Sequence, residues 1–148
     1  ASVRAMEPAR LFEYASAAVL PGWLALAAAP LNRPLALLVA RVVAATLAGL
    51  YLALLISGMA GEGPPEGASF TTLEGVRLLL SSPAALLAGW VHYLVFDLFV
   101  GSWEAEDAPK ANLPHWALLP CLAFTFLAGP VGLLLYLVLK AGWGRRGR

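Results

Sequence analysis

Charge is what this sequence has least of. Asp, Glu, Lys and Arg make up 13% of its 148 residues, against about 25% in an ordinary soluble domain. A soluble fold must clothe its surface in polar groups, and this chain has too few. Its net charge of +1 leaves no basic field for nucleic acid and no acidic tail, so no nucleic-acid partner is expected. Cysteine is nearly missing as well, with Cys121 alone. An intrachain disulfide is impossible, and cysteine usage says nothing of redox compartment. The apolar neighbours of Cys121 make it a buried, inert thiol. The familiar enzyme signatures are absent too. There is no GxSxG, P-loop, CxxC or Rossmann glycine pattern, so hydrolases, nucleotide enzymes and thiol enzymes lose their usual support.

What remains is apolar. Hydrophobic residues are 60% of the chain, and mean hydropathy is +0.76. They gather in four stretches, at about 11–29, 35–57, 84–103 and 116–139, each about 19 to 24 residues long. At about 1.5 Å per helical residue each approaches the roughly 30 Å of a hydrocarbon core. Inside lipid the backbone must satisfy its own N–H and C=O groups, which makes each stretch a helix. The expected fold is therefore all-α and integral to a membrane. It has four transmembrane helices in a small bundle, forming a single membrane domain over 1–148. The first stretch resembles a secretory leader, with Arg4 and Arg10 before a run ending in alanines. Glu13 in its approach argues for a retained helix. Pro21–Gly22 and Pro130 are expected to kink the first and fourth helices.

The connections differ in kind. Residues 30–34 read as a tight turn, making helices one and two antiparallel neighbours. The connection 58–83 opens with GMAGEGPPEGAS, which cannot be helical. Beyond it, Thr71 or Thr72 can cap a short interfacial helix with Glu74 near its positive end. The last connection, from Glu104 to Leu113, is short and acidic. Four crossings put both termini on one side, with Arg4, Arg10, Arg77, Lys140, Arg145, Arg146 and Arg148. Arg33, Arg41 and Lys110 fall on the other. The positive-inside rule then makes both termini cytoplasmic. Trp23, Trp103, Trp116 and Trp143 sit near segment ends or kinks, as an interfacial belt does. Ala45, Gly49 and Ala53 on the second helix, with Ala85 and Gly89 on the third, are spaced for close helix contact. Such rows are also common in any alanine-rich membrane helix.

The third stretch carries the chemistry. Asp97 sits well inside it, at an insertion cost of roughly 3 kcal/mol. Trp90, Asp97 and Glu104 are spaced by seven and share one stripe. Tyr93 is one turn before Asp97 and within reach of it. His92 lies roughly 140° around the helix from Asp97, so the two do not form a simple dyad. Asp97 reads either as half of a structural pair, with Arg41 as a partner, or as a functional acid. His92 reads as a satisfied structural histidine or a base. Glu104, Glu106, Asp107 and His115 offer a weak metal-ligand set, against the plainer reading of a solvated acidic loop. Trp90, Tyr93, Phe96, Phe99 and Trp103 are either stacking surfaces for a polyene or lipid-facing bulk.

A pattern runs through these residues. It starts with Thr72-Leu73-Glu74-Gly75-Val76 and Ser82-Pro83. It continues in Ala88-Gly89-Trp90-Val91-His92-Tyr93, Phe96-Asp97-Leu98-Phe99-Val100-Gly101, Trp103-Glu104 and Asp107. Pro120-Cys121, Thr125-Phe126 and Gly129-Pro130-Val131-Gly132-Leu133 complete it. Together they resemble the abscisic-acid-deficient-four-like family over about 11–140. Plant members are chloroplast membrane proteins needed to make neoxanthin from violaxanthin. The resemblance implies a carotenoid as substrate or bound pigment, and an isomerisation that opens an epoxide and yields an allene. Such a step needs an acid at the epoxide oxygen and a base at the neighbouring carbon. By that implication Asp97 is the acid and His92 or Glu74 the base. Trp90, Tyr93, Phe96 and Trp103 would hold the ligand, and no metal is called for. The implied setting is a bacterial inner or photosynthetic membrane. Two other readings stand beside it. One is a non-catalytic pigment-binding or accessory subunit of a larger membrane complex or homo-oligomer, for instance in photosynthesis. The other, ranked last, is a transporter with Asp97 as a relay.

Overall fold

The computed structural model describes residues 3–146, with side chains from Glu7 to Arg145. Arg148 lies outside the described residues, and of Arg4 and Arg146 only the backbone is described. The architecture is all-α, with no strand among the described residues. The helices are α1 (Val3–Ala18), α2 (Leu20–Ala27), α3 (Arg33–Ala60), α4 (Leu73–Leu79), α5 (Pro83–Asp107), α6 (His115–Leu127) and α7 (Gly129–Arg146). A 3-10 turn, Ala29–Leu31, precedes α3.

Proline sets most of the starts. Pro21, Pro34, Pro83 and Pro130 each fall in the first turn of α2, α3, α5 or α7. There the missing N–H has no intrahelical partner to lose and the fixed φ suits a helix. Thr72 starts α4, its Oγ1 accepting from the Gly75 N–H at 3.0 Å. α3 and α5 are each long and apolar enough to cross a membrane, while α6 is a shorter apolar helix.

The chain packs as two compact units. One takes residues up to 17 and 46–94, the other 18–45 and 95–146. In the first, Ala15, Leu87, Ala88, Val91 and Leu94 are buried. In the second, the core joins Leu26, Ala36, Ala40 and Ala44 to Leu98, Ala105, Leu118, Cys121 and Tyr136. The small residues that α3 buries here are thus Ala36, Ala40 and Ala44. The expected row of Ala45, Gly49 and Ala53 is exposed, and the space beside Gly49 is open. Arg41 explains the offset: it turns toward acceptors on α5, and that rotation decides which alanines follow it inward.

The second correction is larger. Both expected kinks fall where proline sits, but they are different objects. At Val19 the backbone stays near helical values (φ −73°, ψ −24°). At Ala128 it is extended (φ −152°, ψ 77°), and the chain reverses. α6 and α7 lie antiparallel: Gly132 packs on Thr125, and Trp116 meets Trp143 edge-on at 5.8 Å between ring centroids. The stretch 116–139 is therefore a hairpin and not one through-going helix. Pro130 cannot donate to the Phe126 carbonyl and its ring crowds that position, which stops α6. Gly132, lacking a β-carbon, lets the second arm close on the first. α5 also runs on to Asp107, so the acidic residues expected in a loop are on its last two turns.

The hairpin has a direct check. Cysteines placed at Trp116 and Trp143, with Cys121 changed to serine, should be joined within one chain by a short bis-maleimide. In one straight helix the two positions would be about 40 Å apart and unjoinable.

Candidate functional site

The hairpin gives the polar stripe of α5 something to face. Asp97, half-buried, packs directly on Gly129, the first residue of α7: a β-carbon there would overlap its carboxylate. Two turns further along α5, Glu104 is 0% exposed, and Thr125 of α6 donates its hydroxyl to both carboxylate oxygens at 3.0 Å each. Thr125, Ser102 and Tyr136 are enclosed to the same degree. One turn beyond Glu104, Asp107 Oδ2 accepts from Tyr136 Oη at 2.6 Å and from Lys140 Nζ at 2.5 Å. The Lys140 ammonium also stands 5.7 Å from the Trp103 ring centroid, and Trp103 meets Tyr136 edge-on at 5.4 Å. Three carboxyls thus descend one side of α5, each answered by the hairpin.

Glu106 points to α3. It accepts from Arg41 Nη2 at 2.5 Å, while Arg41 Nε donates to Ser102 Oγ at 3.4 Å. Arg41, the expected partner of Asp97, therefore gives its guanidinium to Glu106 and Ser102. His115, at the start of α6, bonds the Ala27 carbonyl through Nε2 at 2.7 Å and ties α6 to the end of α2. The expected set of Glu104, Glu106, Asp107 and His115 is dispersed over four separate partnerships. Among the described residues no group of three or more His, Cys, Asp or Glu gathers to hold a metal ion.

The first unit holds two of the expected aromatic residues, Trp90 and Tyr93. The Trp90 ring lies between Phe12, at 5.3 Å, and Tyr93, at 5.1 Å, and its Nε1 donates to Ser16 at 3.0 Å. Beside this row is a cleft of about 570 Å³ lined mainly by apolar surface, including Phe12, Leu80, Pro83, Leu86 and Trp90. That volume lies within the usual range for small-molecule sites. His92 packs edge-on against Tyr51 at 5.6 Å. Glu74 is on α4, where Arg77 grips it through two bonds of 2.8 and 2.6 Å. The hydrogen bond from Arg77, then its charge, holds the Glu74 carboxyl below the ordinary glutamate range. It stays ionised above that range, and the clamp is lost only as pH falls through the lowered value. A carboxylate so stabilised is a weak base.

Of the expected ligand-binding residues, Trp90 and Tyr93 are brought together, with Phe12 added. Trp103 belongs to the polar stripe, and Phe96 is exposed. Glu104 as a buried acid was signalled by its spacing of seven from Asp97. Thr125, Tyr136 and Lys140 had no signal of their own, because only the reversal at Ala128 brings them to α5.

The fold is all-α, with α3 and α5 each long and apolar enough to cross a membrane and one enclosed carboxyl, Glu104, under a helical hairpin. The chain belongs to the ABA DEFICIENT 4-like family, whose model matches residues 10–136. Neither the curated proteins nor the solved structures hold a match to it.

The tight approach at the hairpin sets a stability test. Gly132→Ala forces a methyl into the Thr125 backbone and hydroxyl and should destabilise by about 1–3 kcal/mol. Gly49→Ala meets nothing within 4 Å and should be neutral or stabilising by up to about 1 kcal/mol. Thermal unfolding in detergent measures both.

Proposed function

We propose that this protein is integral to a membrane and acts on a carotenoid. α1–α2, α3 and α5 cross the bilayer, and the α6–α7 hairpin enters and returns. The outward Leu35, Leu38, Val42, Leu52, Leu55 and Ile56 of α3 suit acyl chains and not water. α6, at about 20 Å, is too short to span alone. The returning hairpin regroups the cations. Lys140 and Arg145 join Arg33, Arg41 and Lys110 on one face, leaving Arg10 and Arg77 on the other. The positive-inside rule then turns the C-terminal end of α7 toward the cytoplasm and the start of α1 away from it. An impermeant maleimide on sealed vesicles tests this: cysteines at Lys110 and Arg145 should label from one side, and at Met59 from the other.

Two things support an epoxide-opening isomerisation as the reaction: family membership and the Asp97 carboxyl set against the hairpin turn. There a carboxyl at the end of a broken helix is held away from either surface, a setting that marks substrate sites in membrane proteins. Asp97 gives its proton to the epoxide oxygen as the C–O bond breaks. The neighbouring carbon gives its proton to the Asp97 carboxylate that the first transfer leaves, and the electrons of its C–H bond form the new double bond. His92 lies about 140° away around α5 and Glu74 is clamped by Arg77, which counts against both as the base.

A second, non-catalytic reading has its own support. The Phe12–Trp90–Tyr93 row beside an apolar cleft suits the flat faces of a bound polyene. The visible spectrum and extracted pigments of gently purified protein separate the two. If Asp97 is the acid, Asp97→Asn retains pigment but fails to convert an added epoxycarotenoid. Conversion undiminished in Asp97→Asn removes the acid. Pigment that is lost with Trp90→Ala, in a protein converting nothing, leaves the binding role.

A further inference from the structure

The segment that joins α3 to α5 is more closely built than its glycines and prolines suggest. Ser69 closes it on α4: its N–H donates to the Gly75 carbonyl at 3.2 Å, and its Oγ lies 3.1 Å from Thr71 Oγ1. Gly75 is buried, and its lack of a β-carbon is what admits the Ser69 backbone and hydroxyl. Gly67, at a φ of +81° that suits glycine alone, brings the chain against Leu78, which a β-carbon there would touch at 3.4 Å. The Ala68 N–H donates to the Pro65 carbonyl, and Thr72 accepts from both Gly75 and Val76. Glu74 and Arg77 neutralise each other. These polar groups are satisfied from within the segment.

Two large apolar side chains point away from this self-contained element. Phe70 is 90% exposed and Leu73 88%, on either side of the Thr72 cap. Single exposed apolar residues are common and mean little. The place of this pair is what distinguishes it. The segment leaves α3 at Ala60 and enters α5 at Pro83, and both helices are long and apolar enough to cross a membrane. If they do cross it, residues 61–82 begin and end at one surface of the bilayer. A segment whose backbone is already hydrogen-bonded loses little on leaving water there. Its outward phenyl and isobutyl groups gain by entering lipid.

We propose that Phe70 and Leu73 seat this segment in the lipid interface, so that the partner of the surface is the bilayer itself. The proposal rests on the reading of α3 and α5 as membrane helices, and it needs no carotenoid. The attachment is apolar and not electrostatic. Glu62 and Glu66 are exposed beside the neutral Glu74–Arg77 pair, an excess of acid that anionic headgroups do not attract. The anchor also bears on the cleft of the first unit. Leu80, the residue after α4, packs on Gly89 and forms part of the cleft wall. A segment anchored through Phe70 and Leu73 therefore fixes one wall of that cleft at the bilayer surface.

Electron paramagnetic resonance of the full chain in lipid nanodiscs tests it, with single nitroxide-labelled cysteines in a Cys121→Ser background. Labels at Phe70 and Leu73 should relax faster with oxygen, which concentrates in lipid, than with a water-soluble nickel chelate. A label at Glu66 should show the reverse. Both anchors are exposed, so labelling one removes no packing and leaves the other in place. The pattern should be the same in phosphatidylcholine alone and with added phosphatidylglycerol. Phe70→Ser combined with Leu73→Ser should free the segment and speed tryptic cleavage after Arg77 on the order of tenfold. Labels at Phe70 and Leu73 that meet water, while one at Leu52 of α3 lies in lipid, overturn the proposal. A label at Leu52 that also meets water removes the membrane reading and this proposal with it. A lipid signal that appears only with phosphatidylglycerol overturns it as well, as does cleavage unchanged in the double variant.

Discussion

The close approach of α7 to α5 and α6 is the constraint on which the rest of the second unit depends. It is possible because Gly129 and Gly132 present no β-carbon where Asp97 and Thr125 lie. Once the arms are closed at that spacing, the other contacts follow from helical geometry. Trp116 comes level with Trp143. Thr125 is aimed at Glu104 and Tyr136 at Asp107. A wider hairpin would leave the Glu104 carboxyl enclosed with no donor, a penalty of roughly 1–3 kcal/mol or more. Packing and polar satisfaction are therefore one requirement.

The same unit shows how a chain poor in charge spends the charges it has. Arg41 and Glu106, each a little over a third exposed, form a pair at the margin, where solvent weakens ion pairs to about 0–1 kcal/mol. Their more consequential effect is orientational. By fixing the rotation of α3 they choose Ala36, Ala40 and Ala44 as its buried face. His115 acts likewise on α2, holding the last carbonyl of that helix to the first residue of α6. Lys140 and Trp103 close the outer end of the stripe against Asp107 and Tyr136. Each such residue restricts how two helices meet and adds little bulk to the core.

Much of the candidate site was visible one residue at a time. Asp97 stands out because acids are rare in an apolar helix, and Glu104 shares its stripe by the spacing of seven. Trp90 and Tyr93 were legible as an aromatic face, and the family pattern ran through all of them. The partners were not legible. Arg41 looked like the answer to Asp97 because both are lone charges in apolar stretches, but the extension of α5 to Asp107 offered it Glu106. Glu74 looked available until Arg77, three residues on, was found to grip it. Glu104 read as solvated because a run of acids at a helix end usually marks a loop, and here the helix continues under the hairpin.

By itself the sequence determined that the chain is helical, that its apolar stretches approach the thickness of a bilayer, and that an aspartate, Asp97, stands inside the third of them. Those properties depend on composition and on spacing along one helix, both of which are local. Only the tertiary structure decided what Pro130 does. Pro21 and Pro130 look alike in sequence, since each removes one donor and fixes one φ. At Val19 the backbone keeps near-helical dihedrals, while at Ala128 it turns back because glycines allow the second arm to pack on the first. That reversal sets the direction of α7, the face reached by Lys140 and Arg145, and the groups that Asp97, Glu104 and Asp107 meet. Hydropathy counts apolar residues but carries no sign for direction, so a helix that crosses and a hairpin that returns look the same to it.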